Sequence, residues 1–178
     1  MHFKSLTAAL IVTLNLVLTP SSLQADSLKA DAAAAGLDWI IGQWGDKATN
    51  GAAVKLSYQW RLDGHAVSVT LAAPDRKSEG MIARNAKTQK IGYMSVDNQG
   101  GGATGTVEPD AGNIVFKVTY SDGGTGEGKM AITHEQRGAE TMKLIISDMS
   151  ESGEVLATKM ELELVKMKET PATGATGQ

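Results

Sequence analysis

The chain contains no cysteine. That removes a disulfide scaffold, thiol nucleophiles and thiolate metal ligands together, and leaves the hydrophobic core alone to hold the fold. Basic charge is also scarce: 17 Lys and Arg stand against 20 Asp and Glu, for a net charge of −3. A weakly acidic chain lacks the basic footprint that nucleic acid requires, and anionic membrane surfaces do not attract it. No Asn-x-Ser/Thr sequon occurs, so nothing points to glycosylation. Aromatic residues are only 4% of the chain. No apolar run reaches the about 20 residues that a membrane-crossing helix needs.

The longest apolar run, Leu6 to Leu18, follows a short positive start ending at Lys4 and precedes the small, polar stretch Pro20-Ser21-Ser22-Leu23-Gln24-Ala25. That order predicts a secretory signal peptide over residues 1–25, cleaved after Ala25, and so an exported protein, periplasmic or extracellular, with no stable membrane anchor. With no cysteine there is no lipobox residue to acylate. Removal of the segment leaves 153 residues, with 16 basic and 20 acidic side chains. A chain of that length suffices for one domain with a sizeable core and not for two.

Residues 26–36 are rich in helix formers, offer Asp26 or Ser27 as a cap and stop at Gly36, which predicts a short helical arm. Leu37 to Trp44 is a compact apolar run. From Val54 the period changes to two: Val54, Leu56, Tyr58, Trp60 and Leu62 alternate with polar residues, the pattern of a half-buried strand. Asp63-Gly64 then reads as a two-residue hairpin turn. Further strands are predicted around Val67–Leu71, Met81–Arg84, Ile91–Val96, Ile114–Tyr120, Met142–Ile146 and Leu156–Leu164; Gly100–Gly105 opens one more, and Gly123–Gly128 opens another that runs through Met130 and Ile132 to His134. Ile91 and Tyr93 face one way, Met94 and Val96 the other, which predicts a strand buried on both sides or bulged. Leu156, Met160, Leu164 and Met167 also fit a helical stripe. The strict alternation of Met160-Glu161-Leu162-Glu163-Leu164 favours strand. The tail, residues 169–178, is small and polar and is expected to be disordered.

About nine short strands joined by tight turns make an antiparallel up-and-down meander, and closure into a barrel removes its two exposed edges. The fold class is therefore all-β, with the barrel over residues 37–168.

The sites that carry chemistry elsewhere find no support here. Gly100-Gly101-Gly102-Ala103-Thr104-Gly105 matches GxGxxG in letters, yet Thr106-Val107-Glu108-Pro109 follows, a poor helix start, so glycines at a barrel corner are the reading. His65 follows a turn and is expected in solvent. His134 shares parity with Met130 and Ile132 and is expected to point inward near a strand end. Two histidines on different strands do not make a metal site. No Gly-x-Ser-x-Gly elbow exists. Glu161 and Glu163 form a solvated strand face. No catalytic residue, metal ligand or cofactor is assigned.

Seven aromatics remain after the leader, and Tyr58 with Trp60, and Phe116 with Tyr120, share strand faces. Together with Met130, Ile132 and His134 they are the candidate ligand-binding set, lining a pocket for a small apolar molecule. Gly124, Gly126 and Gly128 share one face, leaving room for a neighbour's bulky side chain or a ligand. The alternative is a solid interior, filled by Trp44, Trp60, Phe116 and the methionines, in an interaction module whose protein partner the sequence does not name. A third reading is an enzyme using His134 with a nearby acid.

Gly42-Gln43-Trp44, placed just before the first strand of the meander, resembles the Gly-x-Trp of the lipocalin (calycin) superfamily. The resemblance implies a barrel with the tryptophan plugging its bottom, and an arginine of the last strand packed over it. Here that strand offers only Lys159 and Lys166. Leu37-Asp38-Trp39-Ile40-Ile41-Gly42-Gln43-Trp44, Leu62-Asp63-Gly64, Glu79-Gly80-Met81-Ile82 and Thr88-Gln89-Lys90-Ile91 are similar to bacterial lipocalin-like domains of unknown function. That likeness implies fold and export and carries no active residues; Gly42 and Trp44 are expected to be structural.

Overall fold

The computed structural model describes residues 27–124 and 126–168. The signal peptide expected at 1–25 and the tail expected at 169–178 lie outside the described residues.

Helix α1 (Leu28–Ala34) starts where Ser27 Oγ accepts a hydrogen bond from the Ala30 N–H at 3.2 Å, one of the orphan donors that a serine cap satisfies. Gly36, at φ +65, stops it. A 3-10 turn at Asp38–Ile40 follows. Among the described residues ten strands then run as β1 (Gly42–Asp46), β2 (Lys55–Arg61), β3 (Ala66–Ala72), β4 (Lys77–Arg84), β5 (Ile91–Asp97), β6 (Gly102–Asp110), β7 (Asn113–Ser121), β8 (Glu127–Gly138), β9 (Thr141–Met149) and β10 (Val155–Lys166). Each pairs antiparallel with its chain neighbours, and β1 also pairs with β10, so the sheet closes into a barrel.

Alternation sorts the side chains. Leu56, Tyr58, Val67, Val69, Ile114, Phe116, Val118, Met142, Leu144 and Leu164 are buried in one core. The outer face carries ion pairs such as Lys143–Glu161 at 2.6 Å and Lys117–Glu108 at 2.8 Å. Apolar inside and charged outside is the reverse of a barrel that sits in lipid.

The structure departs from the sequence reading in three places and decides a fourth in favour of the strand expected there. The strand missed is β1, because the apolar run at 37–44 splits into the 3-10 turn and five strand residues. The turn at Asp63-Gly64 is not a two-residue hairpin: Leu62, Asp63 and Gly64 all have positive φ, and the strands are separated by residues 62–65. Strand β5 is neither bulged nor doubly buried. It keeps continuous register with both neighbours, and Met94 and Val96 stand 60% and 63% exposed on the outer face. The segment with mixed helix and strand signals is strand β10, because Met160, Leu162 and Leu164 find Ile146, Leu144 and Met142 as cross-strand partners. Register shifts between Val155 and Met160 loosen its first half, where Leu156 and Met160 are exposed.

The Gly-x-Trp segment is explained by one contact. Gly42 has φ +129, and a Cβ there would lie 2.9 Å from Lys166 Cε. The absent side chain leaves the path by which Lys166 reaches Trp44, its Nζ 5.4 Å from the ring centroid. Lysine thus takes the place for which the resemblance implies an arginine, as a cation over an aromatic face.

Candidate functional site: an apolar cavity beneath helix α1

At one end of the barrel the inward side chains of several strands stop short of helix α1. Strand β2 supplies Tyr58 and Trp60, β7 supplies Ile114 and Phe116, and Val67, Ile82, Ile91 and Val107 complete the wall. Leu28 of α1, with Leu37, Ile40 and Ile41, forms the cover. Between them lies a cavity of about 210 Å³, lined almost wholly by apolar atoms. An apolar cavity of about 150 Å³ is enough to take up benzene.

The cover is held by specific contacts. Leu28 is buried, and the Asp31 carboxylate pairs with Arg84 of β4. Gly64 allows the close approach of the helix: a Cβ there would lie 2.8 Å from Lys29 Cβ. Asp31, Glu108 and Pro109 also border the cavity. Glu108 accepts from Lys117 Nζ at 2.8 Å and from Thr106 Oγ1 at 3.1 Å. The Lys117 ammonium holds its carboxyl below the usual range.

Behind the wall lies the one buried imidazole among the described residues. His134 is 1% exposed, with Nε2 2.7 Å from the Tyr58 hydroxyl and Nδ1 3.3 Å from the Ile114 carbonyl. A carbonyl only accepts, so Nδ1 carries the proton and Nε2 accepts from Tyr58. Both ring nitrogens are thereby committed, and neither reaches the cavity as a free acid or base. The rings pack closely: Phe116 lies 4.9 Å and Tyr58 5.7 Å from His134, centroid to centroid. Burial pushes the Tyr58 phenol above its ordinary value and the His134 imidazole down to about 4.

That depression makes a prediction about acid. The folded imidazole titrates near 4 and the unfolded one near 6.5, so between those values the unfolded chain binds the extra proton. Stability is complete above about pH 6.5 and is lost as pH falls toward 4, by about 3 kcal/mol for a gap of this size. Urea unfolding at pH 7.5 and pH 4.5 should show most of that loss, and His134→Gln should flatten it. An equal loss in the variant would mean that another group is responsible. Asp46 acts lower on the scale. The Thr49 hydroxyl and the Val54 N–H hold it at about 2 against 3.8, so its contribution is present above 3.8 and lost as pH falls through 2.

Of the residues predicted to line a pocket, Tyr58, Trp60 and Phe116 border this cavity, and His134 sits behind Tyr58. Tyr120, Met130 and Ile132 do not border it. Met130 and Ile132 pack against the core. Tyr120 occupies the space over Gly128, where a Cβ would lie 2.6 Å from its hydroxyl. The volume expected at the glycine stripe is therefore filled by a neighbour's side chain, while Gly124 and Gly126 face open space. His65 is exposed. Among the described residues no three His, Asp or Glu side chains converge in a way that would hold a metal ion.

Sequence reasoning missed the cover. Its signal was the apolar excess of Leu37, Ile40 and Ile41, too many for one strand face, ahead of a strand that begins only at Gly42. In comparison with known proteins, no family model matches this chain and none of the curated proteins does.

Proposed function

We propose that this protein is an exported, lipocalin-like bacterial barrel whose role is to hold a small, mostly apolar molecule without transforming it. The supporting observation is the cavity of about 210 Å³ between Tyr58, Trp60, Ile114 and Phe116 and the cover formed by α1 and the 3-10 turn. An unfilled apolar space of that size forgoes dispersion contacts in the empty protein, and a ligand that restores them gains affinity without rearranging the wall. Export rests on the order of charge, apolar core and small residues over 1–25, and the lipocalin likeness on the Gly42-x-Trp44 segment and the closed meander. The competing reading, a solid interaction module, accounts less well for a cavity bordered by three of the barrel's few aromatic residues.

The test is optical. Trp60 borders the cavity, whereas Trp44 is buried elsewhere in the core and Trp39 packs edge-on against it. Titration with compact hydrophobes should quench or shift the tryptophan emission saturably, and Trp60→Phe should remove most of that change while circular dichroism stays the same. A panel of small aromatic and aliphatic molecules that gave no saturable change would end the ligand-holding account.

A further inference from the structure

The barrel closes through a short pairing that leaves most of its last strand unpartnered on one side. Strand β10 has 12 residues and β1 has 5. Only Leu164, Val165 and Lys166 pair with β1. The Lys47 N–H adds one bond beyond them, donating to the Glu163 carbonyl at 2.9 Å. From Val155 to Leu162, no strand among the described residues lies on that side of β10. Exposure shows the same gap. Every residue from Val155 to Glu161 is exposed, the longest such run in the barrel, and Val155, Leu156 and Met160 stand 47%, 51% and 44% open to solvent. The backbone here has groups to offer. The Glu163 carbonyl points toward β1, so by the two-residue repeat of a strand Glu161 turns its N–H and carbonyl to the same side. Lys159, at the second register shift, has no partner in β9, and its own N–H and carbonyl are left out of that ladder. A free edge of this kind is a template for another strand.

The side chains decide which strand fits. Lys159 pairs with Asp148 at 2.9 Å, and Glu161 with Lys143 at 2.6 Å. In antiparallel pairing with β10 of a second copy, about a two-fold axis at Met160, Lys159 stands opposite Glu161 of that copy, and Glu161 opposite its Lys159. The row across the joint then runs Lys143, Glu161, Lys159, Asp148, alternating in sign. Opposite charges directly across a strand pair stabilise it and like charges oppose it. The residues that face each other are also the ones whose backbones are free, so each Lys159–Glu161 pair can exchange two backbone hydrogen bonds. Met160 meets its own copy and loses its exposure. A bulge and a lysine blunt an edge against an unrelated strand; against its own copy the lysine meets a glutamate. We infer that the free edge of β10 is a self-association surface, through which two copies of this protein pair antiparallel, centred on Met160, into a weak dimer.

Sedimentation velocity of the purified protein tests it, with no ligand needed. So short a pairing falls below the standard interface, so the sedimentation coefficient should rise from that of a monomer at about 5 µM toward that of a dimer at about 500 µM. Lys159→Glu makes the edge acidic throughout, and Glu161→Lys makes it basic. Each variant alone should associate at least about tenfold more weakly, and an equimolar mixture of the two should recover the unmodified behaviour to within about threefold. Glu161→Pro removes an N–H that only the second copy would use, a change an edge strand tolerates. It should abolish association while circular dichroism stays the same. A protein still monomeric at about 500 µM would overturn the proposal, and a dimer that appears only after removal of residues 169–178 would give the edge to the chain's own tail. Association that survives in both charge variants and in Glu161→Pro would place the contact elsewhere. A mixture that fails to associate would refute the pairing of Lys159 with Glu161.

Discussion

Trp44→Ala should remove about 3–5 kcal/mol of stability, the range for deleting a large buried aromatic side chain. Trp44 is fully buried, its indole Nε1 donates to the Ile40 carbonyl at 2.7 Å, Trp39 packs edge-on at 6.2 Å, and Lys166 lies over its face. Those contacts tie β1 to two other parts of the closure: the 3-10 turn before it, through Ile40 and Trp39, and β10 across the seam, through Lys166. Alanine leaves a cavity there, an Ile40 carbonyl without its partner and an ammonium without its ring. A domain of this size has about 5–15 kcal/mol in all, so folded protein should become scarce at 37 °C. Urea unfolding of purified variants gives the number, with Trp44→Phe as the control that keeps most of the volume. A loss below about 1.5 kcal/mol would show that the tryptophan fills space without joining the seam.

Gly105→Ala should be as damaging, although it adds one carbon. Gly105 lies in β6 between Tyr93 of β5 and Val118 of β7. A Cβ built there overlaps the Lys117 carbonyl oxygen and comes within 2.8 Å of the Val118 Cα. Both are backbone atoms of the adjoining strand, which cannot swing aside as a side chain can. The β6–β7 ladder must part, at a cost of about 3 kcal/mol or more. Gly126→Ala is the internal comparison, since nothing lies within 4 Å of the corresponding Cβ, and its effect should stay within about 0.5 kcal/mol. Melting temperatures of the two variants decide the matter: similar values would refute the crowding at Gly105.

The closed meander was legible because its signal is repetitive. Period-two alternation at Leu56, Tyr58 and Trp60, and again at Ile114, Phe116 and Val118, is enforced by one buried face, and consecutive strands pair with the least loop entropy. What stayed hidden depended on distant contacts. Nothing local says that Lys166 will reach Trp44 through the space at Gly42, or that Tyr120 will fill the space over Gly128. Likewise, Met94 and Val96 look like core residues until the register of β4 and β6 turns them outward. The cavity was half legible. Tyr58, Trp60 and Phe116 declare their inward parity, but the end of the barrel that stays open is set by where α1 docks, and docking depends on Gly64 and on the Asp31–Arg84 pair, which are remote in sequence from one another.

The closing seam gives the barrel an order of assembly. Every strand pairing joins consecutive strands except one, in which Trp44 lies opposite Lys166. The consecutive hairpins form through short-range contacts, quickly and with little chain entropy at stake, while the last pairing must bring together the two ends of a long ribbon. The ribbon therefore zips first and is locked afterwards. Contacts at the lock, Trp44, Leu164 and Lys166, therefore belong to the pairing of greatest sequence separation, the step that costs the chain the most loop entropy.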